Sequence, residues 1–113
     1  MTKKITLLAL LSIISVIVFK ITDANAVQEF SIEIRENKFV PDVLTVPEGE
    51  RFKLVVKNLD KTPEEFESHD FNREKIIGGG KQAKILVGPL DKGVYKFFGE
   101  FNPKTAQGKL IVR

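Results

Sequence analysis

Three side chains whose types suit a metal ion stand at every second position in one short stretch of the chain. Glu65, Glu67 and His69 are separated by one aromatic and one hydroxyl side chain. The side chains of a β-strand alternate between its two faces, so in a strand these two carboxylates and the imidazole would share one face. Carboxylate oxygen and imidazole nitrogen together suit iron(II), copper(II) or zinc(II) better than calcium, which prefers oxygen alone. The spacing therefore predicts a transition-metal site.

The same stretch also has an interpretation without a metal. Residues 62–74 hold five acidic side chains and the only histidine of the protein. Such a charged run is equally typical of a solvated edge strand whose Phe66 turns into the core. The residues of this stretch leave both interpretations open.

The first 26 residues have the features of an export signal. Lys3 and Lys4 precede a largely apolar run from Ile5 to Phe19, and Ala24-Asn25-Ala26 has the small-x-small form of a cleavage site. We expect residues 1–26 to be a signal peptide that directs the protein to the periplasm. The run is short for a membrane span, which needs about 20 apolar residues, so an uncleaved membrane anchor is the lesser alternative.

The expected mature chain, residues 27–113, has 87 residues, enough for one small domain. Loss of the signal lowers the 18 basic and 15 acidic residues to 15 and 14, so the net charge falls from +3 to +1. The basic residues are scattered among acidic ones and give no case for binding nucleic acid or anionic lipid. The chain has no cysteine, which excludes disulfides, a thiolate nucleophile and an iron–sulfur cluster.

Short alternating segments along the mature chain predict strands and no helix. Phe30, Ile32 and Ile34 alternate with polar residues, and later segments behave in the same way. Turn signals such as Gly78-Gly79-Gly80 separate the segments, and residues 37–41 are interpreted as a break. We therefore expect an antiparallel β-sandwich of seven or eight short strands. The predicted segments are 30–35, 43–46, 51–57, 65–70, 75–77, 83–87, 94–98 and 109–112.

The order of these segments and several short motifs resemble a known family. The chain resembles the cupredoxins. It is more closely similar to EfeO-type cupredoxin-like domains and to the small periplasmic cupredoxin-like component of Ftr-type ferrous-iron transport systems. The resemblance covers residues 29–113 and implies a cupredoxin-like Greek-key β-sandwich for residues 27–113. Its specific motifs are PEEFES at 63–68, Asn72-Arg73-Glu74, and FFGEFNPKTAQG at 97–108.

The resemblance also shows where this chain departs from copper-transporting cupredoxins. In those proteins an aromatic-rich strand ends at a cysteine ligand, and a histidine and usually a methionine follow before the last strand. The cysteine position corresponds here to Gly99, and the histidine region to Asn102 and Pro103. The loop that would provide the first copper histidine provides Glu64 and Glu65. A type 1 copper centre requires a thiolate, so no blue-copper centre and no blue-copper electron transfer are expected.

The resemblance to iron-uptake domains implies that Glu65 and Glu67 are metal ligands. In a cupredoxin-like fold, the loop that carries Glu100 lies beside the strand that carries Glu65, which makes Glu100 a further candidate ligand. His69 joins them if the strand extends that far. Glu74 follows Arg73 and is expected to form a surface ion pair or to support a ligand. Crowding of these carboxylates raises at least one pKa, and a bound cation relieves it.

We expect a periplasmic protein that binds iron, with copper as the second candidate, and takes part in iron uptake. Its expected partners are an inner-membrane iron permease and other periplasmic iron-uptake components. It is expected to hand metal to the permease or to help oxidise the metal for it. No small-molecule substrate is expected, because a sandwich of 87 residues leaves little room for a substrate cleft. Consecutive Ser68-His69-Asp70 on a strand cannot form a triad, so at most an accessory role in iron oxidation is expected. The alternative is a metal-free interaction module that docks on a membrane or periplasmic partner, and a redox relay is the third candidate.

Overall fold

Nine strands in two sheets form the part of the chain that the computed structural model describes, residues 26–113. The strands are β1 (Gln28–Arg35), β2 (Lys38–Val40), β3 (Val43–Val46), β4 (Phe52–Asn58), β5 (Glu64–Ser68), β6 (Arg73–Ile77), β7 (Gln82–Val87), β8 (Gly93–Gly99) and β9 (Gln107–Val112). One sheet has the order β2-β1-β4-β7 and the other β3-β9-β8-β5-β6. The predicted all-β sandwich is confirmed, with nine strands instead of seven or eight.

The expected signal peptide, residues 1–26, lies outside the described residues except for Ala26. Within residues 26–113, no helix is long and apolar enough to cross a membrane.

The additional strand is β2, in the segment that was interpreted as a break. Glu36 and Asn37 form a tight turn with φ angles of 50° and 57°, in the left-handed region. The two carboxylate oxygens of Asp60 accept hydrogen bonds from the backbone N–H groups of both turn residues, at 2.8 and 3.0 Å. The turn reverses the chain, and β2 pairs antiparallel with β1. Glutamate is not a usual residue for such a turn, and the stabilising aspartate lies more than 20 positions away.

Two pairs of neighbouring strands run parallel, β1 with β4 and β3 with β9. The expectation of a purely antiparallel sandwich was therefore wrong in part. Parallel neighbours require a crossover connection, and here the chain leaves the first sheet to form β3 before it returns as β4 beside β1. Residue alternation determines which side chains face the core, but it carries no information about which strands become neighbours.

The core lies between the sheets and consists of alternate residues of the strands. Ile32 and Ile34 of β1 are 0% and 1% exposed, and Leu54 of β4 is 0% exposed. Full burial of a side chain of this size contributes roughly 1.5–3 kcal/mol, so this core holds the sandwich together without a disulfide. Four phenylalanines pack within it, with ring centroids 5.1 to 6.2 Å apart, and they are Phe39, Phe66, Phe71 and Phe97.

Strand β5 lies between β8 and β6 and positions the candidate ligands. Its inward side chains, including Phe66, are buried, and Glu65 and Glu67 are partly exposed on the outer face. The predicted alternation is confirmed over this strand, but β5 is an inner strand of its sheet and not an edge. The strand ends at Ser68, so the condition that it extend to His69 is not met, and the histidine lies in the turn that leads to β6.

Candidate metal centre

Three carboxylates meet on the outer face of the five-stranded sheet. Glu65 and Glu67 belong to β5, and Glu74 belongs to β6 directly opposite Glu67. One carboxylate oxygen of each lies within 4.8 Å of the other two. Bonds of about 2.0–2.6 Å between a divalent metal and oxygen allow two ligand atoms of one ion to lie roughly 4–5 Å apart. One cation can therefore contact all three carboxylates with little rearrangement.

Glu74 is the member of this cluster that the sequence interpretation placed elsewhere. The expected ion pair with Arg73 is not formed, because Arg73 donates to the backbone carbonyls of Asn72 and Leu86, both at 2.8 Å. The position of Glu74 follows from the hairpin between β5 and β6, whose four-residue turn ends at Asn72 with a φ of 52°. Asparagine tolerates this left-handed conformation, so the turn was a usable signal. Counting outward from it places Glu74 opposite Glu67.

His69 lies beside the three carboxylates, at the start of the turn after β5. Its Nδ1 is 3.8 Å from Glu67 Oε1, and its side chain is 77% exposed. The imidazole ring packs against Phe98, with the ring centroids 5.4 Å apart. The turn is attached to β8 because the carboxylate of Asp70 accepts a hydrogen bond of 2.7 Å from the backbone N–H of Lys96. His69 is thus held within reach of Glu67 but does not belong to the group of three.

Glu100 is the fourth residue that the sequence placed at the site. Its backbone N–H donates to the carbonyl of Glu65 at 2.9 Å, so the loop after β8 does lie against β5. The Glu100 side chain is exposed and is not one of the three clustered carboxylates. Its role in the structure is that of a neighbouring negative charge.

The crowding of these groups changes the ionisation of Glu65. Partial burial, followed by the charges of Glu67, Glu74, Glu100 and Glu64, raises the pKa of the Glu65 carboxyl above its usual value of 4.5. The ion pairs formed within residues 26–113 bring no lysine or arginine to the three clustered carboxylates. Their mutual repulsion is therefore not balanced by a paired lysine or arginine, and a cation bound between them would relieve it.

A second acidic side chain of β5 has the opposite environment. Glu64 faces inward and is 2% exposed. Its carboxyl accepts hydrogen bonds from the backbone N–H groups of Glu65 and Phe101 at 3.0 and 2.9 Å, and from Asn102 Nδ2 at 2.9 Å. Gly99 lies against it, because a Cβ at that position would be 2.6 Å from Glu64 Cδ. We call Glu64, Phe101 and Asn102 the Glu64 network.

Comparison with known sequences gives the family of this chain. The family model of the cupredoxin-like domain matches residues 7–112. The chain belongs to the cupredoxin-like domain family. An uncharacterized protein of Rickettsia prowazekii (strain Madrid E) is 39% identical over 117 residues, which cover 97% of this chain and 93% of that protein.

Solved structures of cupredoxin-like proteins share the fold at low sequence identity. Auracyanin A, a "blue" copper protein from the green thermophilic photosynthetic bacterium Chloroflexus aurantiacus, superimposes with a TM-score of 0.67. It is 15% identical and covers 78% of this chain and 100% of its own. The metal-binding domain of the Cu(I)-exporting P-type ATPase CopA of Streptococcus pneumoniae, solved with Cu(I), also has a TM-score of 0.67. It is 16% identical and covers 81% of this chain and 91% of its own. Identity this low shows the shared fold alone.

Proposed function

We propose that this cupredoxin-like protein binds a divalent metal ion, iron(II) before copper(II), on the outer face of its sandwich. Glu65, Glu67 and Glu74 provide carboxylate ligands, His69 adds a nitrogen ligand from the adjacent turn, and Glu100 contributes negative charge. The observation that carries this proposal is the convergence of three carboxylates within 4.8 Å, with no lysine or arginine of the described chain paired to them. Such crowding is unfavourable until a cation neutralises it.

The donor atoms favour a hard or borderline ion. Carboxylate oxygens suit magnesium, calcium and manganese, and an imidazole nitrogen shifts the preference toward iron, zinc and copper. The chain has no cysteine and its only methionine is Met1, so the soft ligands that favour copper(I) are absent from residues 2–113. Carboxylates bind iron(III), the harder ion, more strongly than iron(II). The site therefore makes bound iron(II) easier to oxidise, while an external acceptor takes the electron.

In this proposal the protein acts in the periplasm after removal of residues 1–26 and delivers metal to an inner-membrane iron permease, together with other periplasmic iron-uptake components. The export-signal features of the first residues and the resemblance to iron-uptake domains support this assignment. The exposed side chain of His69 and the outer-face position of the carboxylates suit transfer of an ion to a partner, because the ligands are accessible without opening the core.

Anaerobic calorimetric titration of residues 27–113 with iron(II), and separately with copper(II), tests the proposal. The variants are Glu65→Gln/Glu67→Gln and Glu74→Gln. Loss of outer-shell residues of metal sites weakens binding by about 10–100-fold, so we expect the ligand variants to lose at least that much. The matched control is Glu48→Gln/Glu50→Gln, which removes two exposed glutamates with the same spacing in the turn before β4. The control should bind like the wild type.

Two results contradict the proposal. One is that neither metal binds the wild type, and the other is that the control variant loses as much affinity as the ligand variants. If neither metal binds, the metal-free interaction module becomes the better assignment, whereas an equal loss in the control would show that the metal is held elsewhere than on the three clustered carboxylates. That module predicts that Glu65→Gln/Glu67→Gln leaves cellular iron uptake unchanged, whereas the metal-binding function predicts its loss.

A further inference from the structure

The Glu64 network joins the start of β5 to the loop between β8 and β9. Oxygen Oε1 of Glu64 accepts hydrogen bonds from the backbone N–H groups of Glu65 and Phe101, and Oε2 accepts one from Asn102 Nδ2. The carbonyl of Asn102 in turn accepts a hydrogen bond of 2.9 Å from the N–H of Ala106. Both carboxyl oxygens are thus occupied by N–H donors, and the loop is folded back against the end of β8.

The space beside the Glu64 side chain is also fully packed. A Cβ on Gly99 would lie 2.6 Å from Glu64 Cδ and 2.6 Å from the Cβ of Ala106, closer than real Cβ contacts allow. Ala106 is 0% exposed. Position 99 therefore cannot carry a side chain while Glu64 keeps its place.

The fold family leads one to expect copper at this end of the sandwich, and the residues present do not fit it. By the resemblance of the sequence, Gly99 takes the position of the thiolate ligand, and Asn102 lies in the histidine region. Glu64 and Glu65 lie in the segment where the first histidine is expected, and of these two it is Glu64 that faces inward. The structure brings Gly99, Asn102 and Glu64 into contact. The groups they offer in place of metal ligands are a carboxyl and an amide, and these two groups are hydrogen-bonded to each other. Throughout residues 26–113, every buried side-chain nitrogen or oxygen has a hydrogen-bond partner. An ion bound here would have to compete with these hydrogen bonds for the side chains of Glu64 and Asn102.

We propose that the Glu64 carboxyl takes the place of a metal ion at this end of the sandwich and closes it against copper. The carboxyl accepts hydrogen bonds from the loop groups that would otherwise surround a metal, so β5, β8 and the loop stay together without an ion. Any metal that the protein binds is then held elsewhere, on ligands that do not include Glu64 or Asn102. This inference does not depend on the outer face binding iron.

Copper(II) titration of the full chain, followed by electron paramagnetic resonance, tests the inference with conservative variants. In Glu64→Gln the side-chain amide can still pair with Asn102 after a flip of the asparagine amide, so this variant preserves the fold. We expect the copper stoichiometry and the spectrum of Glu64→Gln and Asn102→Ala to match those of the wild type. Absence of copper binding in all three proteins also supports closure. Loss of binding or a changed spectrum in either variant would show that copper is bound inside the network and would overturn the inference.

A second experiment opens the closed position. Gly99→Cys/Asn102→His introduces a thiolate and an imidazole, and it is compared with the same protein carrying Glu64→Ala in addition. We expect copper(I) to bind at least tenfold more tightly to the variant without Glu64, because the two proteins have the same cysteine and histidine and differ only in whether the Glu64 carboxyl occupies the position between them. Equal affinity in the two folded variants would overturn the inference. If circular dichroism shows that either variant is unfolded, the copper titrations of Glu64→Gln and Asn102→Ala test the inference instead.

The outcomes separate this inference from the proposed function. Iron(II) binding that requires Glu65 and Glu67 tests the outer face, whereas copper binding that responds to Glu64 or Asn102 tests the inner network. Either proposal can fail while the other stands.

Discussion

The two faces of β5 place glutamates only one residue apart in opposite environments. Glu64 points inward and is 2% exposed, and its carboxyl accepts three N–H hydrogen bonds. Glu65 points outward, where partial burial and neighbouring acidic groups raise the pKa of its carboxyl. The side-chain type is the same, and the difference comes from the alternation of the strand and from what each face meets. A satisfied carboxyl contributes to the fold, whereas a crowded one is available to a cation.

The largest expected effect is that of Glu64→Ala on stability. The change leaves the partly buried Phe101 N–H and Asn102 amide without their acceptor and creates a cavity in place of the buried Glu64 side chain. We therefore expect a loss on the order of 3 kcal/mol in the free energy of unfolding. Urea denaturation of residues 27–113 measures it. Glu48→Ala, in an exposed turn, serves as the control and should change stability by no more than about 0.5 kcal/mol. Similar losses in the two variants would mean that the Glu64 network contributes little.

The next effect is that of Gly99→Ala, which tests the packing against Glu64. The new Cβ would lie 2.6 Å from Glu64 Cδ, and overpacking of this kind costs about 1–3 kcal/mol. In the Glu64→Ala background part of the conflict is removed, so the second substitution should cost less there. A double-mutant cycle by urea denaturation gives the coupling energy. Strict additivity would contradict the contact.

A smaller effect of opposite sign is expected on the outer face. Glu67 and Glu74 are directly opposite each other on neighbouring strands, and like charges in such a pair are unfavourable. Glu74→Lys converts the repulsion into an attraction and should stabilise the metal-free protein by about 0.5 kcal/mol while it weakens iron(II) binding. Thermal melting and calorimetric titration measure the two changes. A variant that is less stable and binds iron(II) normally would remove Glu74 from the cluster.

The smallest expected effect is the pH dependence that Glu65 brings to stability. Its pKa in the folded chain is raised above 4.5, so the folded chain holds this proton more tightly than the unfolded chain does. The resulting stabilisation is complete below about pH 4.5 and is lost as the pH rises through the raised pKa. The melting temperature of the wild type should therefore fall relative to that of Glu65→Gln from pH 4.5 toward neutrality. If the melting temperatures of the two proteins change by the same amount across this pH range, the pKa of Glu65 is not raised.

Much of the sandwich could be predicted because the alternation of buried and exposed side chains in a strand depends only on residues that are close together in the sequence. Phe66 is buried and Glu65 and Glu67 face outward, as their spacing indicates. Strand β2 was missed because its turn at Glu36 and Asn37 depends on hydrogen bonds to the distant Asp60. The residues next to a turn do not reveal hydrogen bonds to a residue that is more than 20 positions away.

The candidate site was predictable only along one strand. The spacing of Glu65 and Glu67 gave the part of the cluster that lies on β5. Strand β5 ends at Ser68, so His69 does not share its outer face. Glu74 belongs to the cluster because the pairing register of β6 places it opposite Glu67. Register depends on where a turn closes and on which strands become neighbours, and both are decided by contacts between distant parts of the chain.

The sequence by itself determined that this protein is an all-β domain without cysteine, that thiolate chemistry is excluded, and that two glutamates share one strand face. These properties follow from composition and from the two-residue period of a strand. Only the tertiary structure decided that Glu74 joins them and that Glu64 is enclosed by Phe101 and Asn102. The physical reason is that the environment of a carboxyl, and hence its charge and its ligands, is set by groups that lie far away along the chain.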